Sequence, residues 1–333
     1  MDAWTRVADR NTRAFADLTI LGGFAAPLFL WLAGLGVVLS ASRTAERTGS
    51  RMLAVDAACR RGLEIFLLAF LFRLQAFIVS PGGHPVTLFR VDVLNVMGPA
   101  IVAAGLAWAL SDRAVWRVLF YGALAAGVAM LTPVVRAAPG VDLLPTWVQW
   151  YVRPAGDLTA FTLFPWAGFV FAGAAVGALM VAAPTADADR LVRLAIGIGG
   201  AALIVIGFYT AARPSIYSVP ASFWTSSPTW FAVRVGIMMV ALAGISAIPV
   251  QPASVWQRPL ATLGRASLFV YWIHVELVYG YASWLWRHRL PVWASAGAWA
   301  VFTALMYRAV VARDRYLERG SAEFIPPVTV SEA

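Results

Sequence analysis

Long apolar stretches separated by short polar connections constrain this chain more than any other feature of its sequence. Of its 333 residues, 60% are hydrophobic and only 13% are charged, whereas a soluble protein carries roughly 25% charged residues. A helix needs about 20 apolar residues to cross the hydrocarbon core of a bilayer. The stretches that approach this length are 18–41, 60–79, 93–111, 115–133, 160–183, 191–212, 229–248, 265–286 and 291–312. We therefore predict an all-α fold, a polytopic transmembrane helical bundle with about nine spans.

The positions of the arginines predict how this bundle is oriented. All 26 basic residues are arginine, and they concentrate in alternate connections, such as 42–61, and in the C-terminal tail. Basic residues stay on the cytoplasmic side of a membrane, so we expect the C-terminus in the cytoplasm and the N-terminus outside. The predicted organisation is an outer segment at 1–17, a transmembrane domain at 18–312 and a cytoplasmic tail at 313–333. The lipid bilayer is then the first partner of the chain.

Composition excludes several other classes of protein. The net charge of +9 comes from dispersed arginines without the contiguous basic patch that would follow a phosphate backbone, so no nucleic-acid partner is expected. Cys59 is the only cysteine, which leaves no intrachain disulfide. The three histidines are scattered without metal-ligand spacing. The sequence therefore predicts neither a metal site nor a tightly bound cofactor.

His274 and Glu276 lie inside the apolar stretch 264–286. An ionisable group at that depth costs about 2.5–3.5 kcal/mol unless it faces a partner or a wet cavity. Tyr271 and His274 share one helical face, whereas Glu276 points away from it, so a simple His–Glu dyad is not expected. His274 is a candidate proton relay, with Tyr271 and Glu276 as candidate substrate contacts. The alternative, in which His274 only hydrogen-bonds a neighbouring helix, stays open.

Further polar residues lie in or at the edge of three other stretches. They are Arg73, Arg90, Asp92, Asn95 and Arg234. In the predicted orientation all of them belong to the outer half of the bundle, and we expect their opposite charges to neutralise each other around a substrate pocket. Simpler explanations also stay open, because arginine side chains snorkel towards the interface and Asp92 could simply cap a helix start.

Three arginines on the predicted cytoplasmic side are candidates for binding a co-substrate. Arg43, Arg60 and Arg61 all fall in the connection 42–61. They could contact the phosphates of a nucleotide-bearing donor, since a guanidinium matches a phosphate group in geometry and charge. Their effect on membrane topology explains them equally well.

Four blocks of sequence resemble a known family. They are AAPLFLWLAG at 25–34, FRVDVLNVMG at 89–98, FPWAGFVFAGAAVG at 164–177 and LGRASLFVYWIHVE at 263–276. In order and spacing they resemble the bacterial branch of the heparan-α-glucosaminide N-acetyltransferase-like family of multi-pass transmembrane acyltransferases. The last block is the most specific of the four, and the resemblance extends over nearly the whole chain.

The resemblance implies a reaction and a location. In this family an acyl group leaves an acyl-CoA on the cytoplasmic side and reaches an amine or hydroxyl on the other side, often on a sugar. Acetyl-CoA, or another acyl-CoA, is then the co-substrate, and a small molecule or glycan is the acceptor. A histidine acts as base or acyl carrier, which requires a pKa near neutrality. The implied location is the bacterial inner membrane, and a homo-oligomer stays open.

The N-terminus departs from the family pattern. Family members begin with a helix that carries an L-D-x-x-R-G pattern and ends in an outer histidine, which would fall just before Asp2-Ala3-Trp4. Nine spans would also place the arginines of 1–17 outside without a signal peptide, which favours one further helix upstream. We therefore expect the principal histidine of the family upstream of Met1, and we assign His274 a supporting role.

Two other functions fit the same residues. A transporter or flippase of a polar or lipid-linked solute could use the buried charges as its binding site, although no internal repeat supports this function. A truncated, inactive homologue would keep the bundle without the reaction. The acyltransferase is the preferred interpretation, since the four blocks occur in the family's order along the chain.

Overall fold

The chain forms two compact units in a computed structural model of the protein. The described residues are 3–79, 84–159, 161–183, 185–219, 222–248, 257–280 and 283–323. The larger unit is Leu21–Ile248, and the smaller one combines Met1–Ile20 with Pro249–Ala333. The family blocks at 25–34, 89–98 and 164–177 belong to the larger unit, whereas the block at 263–276 belongs to the smaller one.

Helices account for almost all regular structure in the described residues, and no β-strand occurs among them. The α-helices are α1 (Arg13–Gly22), α2 (Ala25–Thr48), α3 (Arg51–Val79), α4 (Val93–Trp108), α5 (Ala114–Ala137), α6 (Thr146–Val152), α7 (Leu163–Val181), α8 (Ala186–Ala211), α9 (Pro228–Ser246), α10 (Gln257–Arg265), α11 (Ser267–Tyr279) and α12 (Val292–Glu323). Short 3₁₀ helices lie at Val7–Asn11, Pro85–Phe89, Pro139–Leu143 and Gly156–Leu158. The predicted all-α fold is confirmed.

Most of the predicted spans correspond to long helices. In the described part of the chain, seven helical segments are long and apolar enough to cross a membrane: Arg13–Thr48, Arg51–Val79, Ala114–Ala137, Leu163–Val181, Ala186–Ala211, Pro228–Ser246 and Val292–Glu318. Two shorter apolar helices, α4 and α11, correspond to the predicted stretches 93–111 and 265–286. The chain is therefore a polytopic helical membrane protein, as predicted.

The stretch 265–286 is not one continuous helix, contrary to the prediction. Ala266 interrupts it between α10 and α11 with φ −99° and ψ 18°, and α11 ends at Tyr279. Gly280 follows in an extended conformation, and glycine is a poor helix former because it loses much backbone entropy. With 13 residues, α11 is only about 20 Å long. The apolar composition of this stretch was predictable, but the place where its helix stops was not.

Most of the predicted connection 42–61 is helical, since only Gly49 and Ser50 separate α2 from α3. Gly49 takes the left-handed conformation with φ 67° and donates its N–H to the Ala45 carbonyl at 2.8 Å, a common way for glycine to end a helix. The Leu53 N–H then donates to the Ser50 hydroxyl at 3.3 Å. The arginines of this region therefore lie on helical turns.

Backbone packs directly against backbone between α2 and α7 in the larger unit. A Cβ atom at Gly34 would overlap the Val170 carbonyl oxygen, and one at Gly173 would overlap the Trp31 carbonyl oxygen. Lipid tails are as apolar as side chains, so membrane helices associate through such close contacts of small residues. The contact holds α7 in the interior of the unit, where most residues of this helix are buried.

In the smaller unit, the segment before α1 is fixed by the turn that precedes α12. The Leu290 N–H donates to the Trp4 carbonyl at 2.9 Å, and the Arg6 N–H donates to the Leu290 carbonyl at 2.9 Å. The Thr5 hydroxyl donates to the Ser295 hydroxyl at 3.0 Å. Trp4 also packs edge-on against Phe302, with ring centroids 5.8 Å apart. The segment predicted as a simple outer extension is therefore part of the packed structure.

We predict that Gly34→Ala destabilises the protein by about 1–3 kcal/mol, because the added methyl group would force α2 away from α7. The matched control is Gly36→Ala on the same helix, where a Cβ atom would meet nothing within 4 Å. Thermal unfolding in mild detergent measures both effects. Equal unfolding midpoints for the two variants would contradict the close packing of α2 and α7.

Candidate functional site

The candidate site residues are divided between the two units. The larger unit holds Arg43, Arg60, Arg61, Arg73, Arg90, Asp92, Asn95 and Arg234, and the smaller unit holds Tyr271, His274 and Glu276. Each group forms its own local arrangement of hydrogen bonds and ring contacts. The arrangement in the larger unit is the more extensive one, because it involves residues from α3, α4 and α6.

Arg73 and Asp92 form an ion pair between α3 and the start of α4. Their Nη2 and Oδ2 atoms are 2.5 Å apart, and the two side chains are only 17% and 19% exposed. An arginine that merely snorkelled would keep its guanidinium in the interface. The predicted neutralisation of charge is therefore present for this pair, and the snorkelling alternative does not describe Arg73.

Asp92 also caps α4, as its position before an apolar stretch suggested. The Val93 N–H donates to Asp92 Oδ1 at 2.7 Å. The Asn95 N–H also donates to the Asp92 side chain, and the Asp92 N–H donates to Asn95 Oδ1 at 2.9 Å. This reciprocal pattern is a capping box, which satisfies N–H groups that have no partner inside the helix. One carboxylate therefore serves both as helix cap and as counter-ion of Arg73.

Asn95 links the cap to Tyr151 on the short helix α6. Asn95 is buried, and its Nδ2 donates to the Tyr151 hydroxyl at 3.4 Å. Burial raises the pKa of Tyr151, and the hydrogen bond from Asn95 opposes that shift. The phenol is therefore neutral at physiological pH and keeps its own proton for donation to another acceptor. We refer to Arg73, Asp92, Asn95 and Tyr151 as the α4 polar cluster.

Backbone and arginine contacts fix the segment that carries Tyr151. The Arg153 guanidinium pairs with Asp142 at 2.7 Å and donates to the Ala138 carbonyl at 3.0 Å. The Val91 N–H, directly before Asp92, donates to the Leu158 carbonyl at 3.1 Å. These contacts tie both ends of the segment 138–158 and orient Tyr151 towards the start of α4. The sequence offered only an apolar stretch too short to span, so this role of Tyr151 was missed.

Arg234 is buried on α9 but is satisfied differently from the prediction. Its guanidinium lies over the rings of Trp230 and Phe24, at 4.5 Å and 4.8 Å from the ring centroids, and donates to the Gly23 carbonyl. Among the described residues, no carboxylate forms an ion pair with it. The aromatic faces and the carbonyl supply the negative potential instead, so Arg234 secures the turn before α2.

Arg90 is half-buried between the 3₁₀ helix Pro85–Phe89 and Asp92. Its backbone N–H donates to the Thr87 carbonyl at 3.2 Å. It thus lies two positions before the cap of α4 in the chain.

A further arginine, Arg136 near the end of α5, was not singled out from the sequence. Its Nη2 donates to the Thr162 hydroxyl and to the Phe164 carbonyl, each at 2.7 Å. These two acceptors lie at the start of α7, so the hydrogen bonds of Arg136 connect the end of α5 to the start of α7. A single arginine in the last turn of an apolar helix gives no sign of this partner in the sequence.

The three proposed donor-binding arginines lie on exposed helical surfaces. Arg60 pairs with Asp56 at 2.7 Å and Arg61 with Glu64 at 3.2 Å, each one turn away on α3. Arg43 is exposed on α2. Exposed pairs of this kind contribute about 0–1 kcal/mol. These arginines are therefore held only weakly by their neighbours.

In the smaller unit, His274 has a defined tautomer. Its Nδ1 lies 3.0 Å from the Tyr271 carbonyl oxygen, and a carbonyl can only accept a hydrogen bond. In the neutral ring Nδ1 therefore carries the proton and Nε2 is the acceptor. His274 and Tyr279 line a cavity of about 300 Å³ whose wall is mostly aromatic and apolar. Glu276, half-buried on the same helix, does not line this cavity.

The described residues contain no group of three or more His, Cys, Asp and Glu side chains that could hold a metal ion. The candidate site residues themselves carry hydroxyl, amide, carboxylate, imidazole and guanidinium groups. Such groups bind and orient substrates and move protons.

We predict that Asp92→Ala destabilises the protein by about 1 kcal/mol more than Asp92→Asn, because asparagine still caps a helix and alanine does not. Both variants remove the counter-ion of Arg73, so the difference isolates the cap. Asp112→Ala serves as control, since Asp112 is 71% exposed in its pair with Arg51 and should have little effect. Equal stabilities of the two Asp92 variants would show that the cap contributes nothing.

Comparison with known proteins agrees with the resemblance seen in the sequence. The family model described as heparan-alpha-glucosaminide N-acetyltransferase, catalytic, matches residues 3–214. This range contains the α4 polar cluster, and His274 lies beyond it. A comparison with curated proteins found no match. Because the family match covers more than half of the residues, the chain belongs to the heparan-alpha-glucosaminide N-acetyltransferase family and is a multi-pass membrane enzyme of the acetyltransferase type.

Proposed function

We propose that the protein transfers an acyl group, in the first place acetyl, from acyl-CoA to an amine or hydroxyl of a glycan or other small-molecule acceptor. The donor would bind on the cytoplasmic side of a bacterial inner membrane and the acceptor on the outer side. The observation that carries the proposal is the α4 polar cluster. A bundle of apolar helices keeps ionised and hydrogen-bonding groups of this kind mainly where they serve a function.

The α4 polar cluster has the groups that an acyl acceptor requires. The Asp92 carboxylate accepts hydrogen bonds from sugar hydroxyls or from an amine. The protonated Tyr151 hydroxyl can donate to the thioester oxygen as negative charge develops on it, which is the principal way that acyl-transfer enzymes lower their barrier. Arg90, two positions before Asp92, is a proposed acceptor contact. Arg234 is proposed to act indirectly, by holding the turn before α2.

His274 is proposed as a supporting proton relay. Its Nδ1–H is directed to the Tyr271 carbonyl, so Nε2 is the atom that would take up and return a proton. Fixing one ring nitrogen through a hydrogen bond is a common way to orient a histidine for this task. Tyr271 and Glu276 remain proposed substrate contacts on the same helix.

The exposed arginines Arg43, Arg60 and Arg61 are proposed to bind the phosphates of the donor. The acidic partners of Arg60 and Arg61 are themselves exposed, so little free energy is lost when a phosphate replaces them. Arginine holds a phosphate by two parallel hydrogen bonds. A CoA moiety could therefore compete for these side chains at the surface of α2 and α3.

We predict that Tyr151→Phe lowers kcat about 100-fold, because it removes one hydrogen-bond donor to the developing oxyanion. The assay measures transfer of labelled acetyl from acetyl-CoA to a glucosamine-terminated saccharide in proteoliposomes. The matched control is Tyr217→Phe, since the Tyr217 hydroxyl donates to the Met130 carbonyl at 2.9 Å outside the α4 polar cluster.

Equal activity of Tyr151→Phe and wild type would remove Tyr151 from the reaction. Absence of any transfer by folded wild-type protein, over a panel of amine and hydroxyl acceptors, would contradict the proposed function itself. Movement of the unmodified saccharide across the membrane would favour a transporter instead.

We predict that His274→Asn lowers kcat by about 10²-fold or more, as expected when a proton-transfer group is lost, and leaves KM for the acceptor nearly unchanged. Asparagine retains an N–H that can donate to the Tyr271 carbonyl but lacks an atom equivalent to Nε2. His84→Asn is the control, because His84 is exposed and caps the 3₁₀ helix Pro85–Phe89. Full activity of His274→Asn would exclude the relay.

A further inference from the structure

A groove between α8 and α9 plays no part in the proposed reaction. It encloses about 780 Å³ within the larger unit and is lined mainly by small and apolar residues, among them Gly197 and Ala201 of α8 and Gly244 of α9. Arg190 and Arg193 line one end of it. Both helices belong to the segments that are long and apolar enough to cross a membrane.

The depth of the groove corresponds to one leaflet. From Arg190 to Ala201 the axis of α8 rises by about 16 Å. This length is close to half the thickness of the hydrocarbon core, which is about 15 Å. Arg190 lies in the second turn of α8, which begins at Ala186, and Ser246 ends the antiparallel helix α9 at the same level. A groove of this length that begins at the membrane boundary would reach about the middle of the bilayer.

The small residues make the groove and keep it open. A Cβ atom at Gly200 would lie 2.7 Å from the Gly236 carbonyl oxygen, so the two helices touch there. Nearer the boundary, a Cβ atom at Gly244 would meet nothing within 4 Å. The helices are therefore in contact at Gly200 and close together at Gly197, where a Cβ atom would lie 3.3 Å from the Ala243 Cβ, and an open slot lies beside Gly244.

The two arginines that line one end of the groove differ in whether their charge is already compensated. Arg193 donates to the Ser246 carbonyl at 2.8 Å and pairs with Asp189 on its own helix, so it bridges α8 and α9 with its charge compensated. Arg190 is exposed and, among the described residues, forms no ion pair. At this end of the groove, the guanidinium of Arg190 can therefore bind an anionic group.

We propose that this groove is a binding site for a glycerophospholipid of the adjoining leaflet. Its phosphate would contact Arg190, and one acyl chain would lie in the slot beside Gly197, Ala201 and Gly244. The guanidinium of Arg190 matches the charged phosphate of such a lipid, and an apolar slot about one leaflet deep matches its acyl chain. The inference is independent of the proposed reaction, since none of these residues belongs to the α4 polar cluster.

Filling the slot tests the site. Gly244→Leu places a side chain in the groove without a backbone clash, and Gly127→Leu on α5 is the matched control, because a Cβ atom there also meets nothing within 4 Å. Both variants and wild type are purified in mild detergent, and phospholipid retained per chain is measured by mass spectrometry. We expect Gly244→Leu to retain at least about fivefold less lipid than wild type, with Gly127→Leu unchanged.

Removing the cation tests the headgroup contact. We expect Arg190→Gln to lower retention of the same phospholipid about fivefold, since one basic residue near a phosphate contributes roughly 1 kcal/mol. Arg113→Gln, at the exposed start of α5, should leave it unchanged. Equal retention by Arg190→Gln and Arg113→Gln would overturn the proposal.

One further measurement keeps the proposal falsifiable if a variant fails to fold. Wild-type protein in nanodiscs that contain a photoactivatable phosphatidylcholine should be labelled at 194–201 of α8 above the level at the surface of α5 around Gly127. Uniform labelling of both surfaces would overturn the site. With folded Gly244→Leu, light scattering tests for a different occupant: conversion of a dimer to a monomer without loss of lipid would overturn the proposal and assign the groove to a second copy of the chain.

Discussion

The ion pair between Arg73 and Asp92 allows a bundle of apolar helices to carry charge in its interior. Neither side chain is as much as one-fifth exposed, and each alone would lose several kcal/mol of solvation on leaving water. Together they neutralise each other at 2.5 Å. The same carboxylate also caps α4, so one side chain serves both the ion pair and the start of that helix. The positions of Asn95 and Tyr151 depend on this start.

Burial gives the α4 polar cluster its chemical character. Asn95 is engaged on one side by the Asp92 backbone and on the other by the Tyr151 hydroxyl, so its amide cannot rotate freely. Tyr151 is neutral at physiological pH, since a phenol ionises only near pH 10 and burial raises its pKa further, so it has a proton to donate. Preorganised donors of this kind need no rearrangement when charge develops in a reaction. The geometry of the cluster therefore suits the proposed acyl transfer, and family membership supplies the reaction class.

The sequence predicted those features that depend on local composition. Apolar length identified the membrane helices, and Asp92 before an apolar stretch identified a cap, since both signals lie within a few residues. The stop of α11 at Tyr279 was missed, because apolar residues continue beyond Gly280 and conceal a local break. The roles of Tyr151 and Arg136 were also missed. Their partners lie 56 and 26 residues away along the chain, and only the path of the connecting segments brings them together.

A double-mutant cycle between Arg73 and Asp92 tests the central claim most directly. The free energy of unfolding would be measured in bicelles for wild type, Arg73→Gln, Asp92→Asn and the double variant. If the two side chains stabilise each other's charge in the interior of the bundle, the coupling energy should be at least about 1 kcal/mol, within the range found for residues in direct contact. Additive effects of the two substitutions, with a coupling energy near zero, would contradict the account.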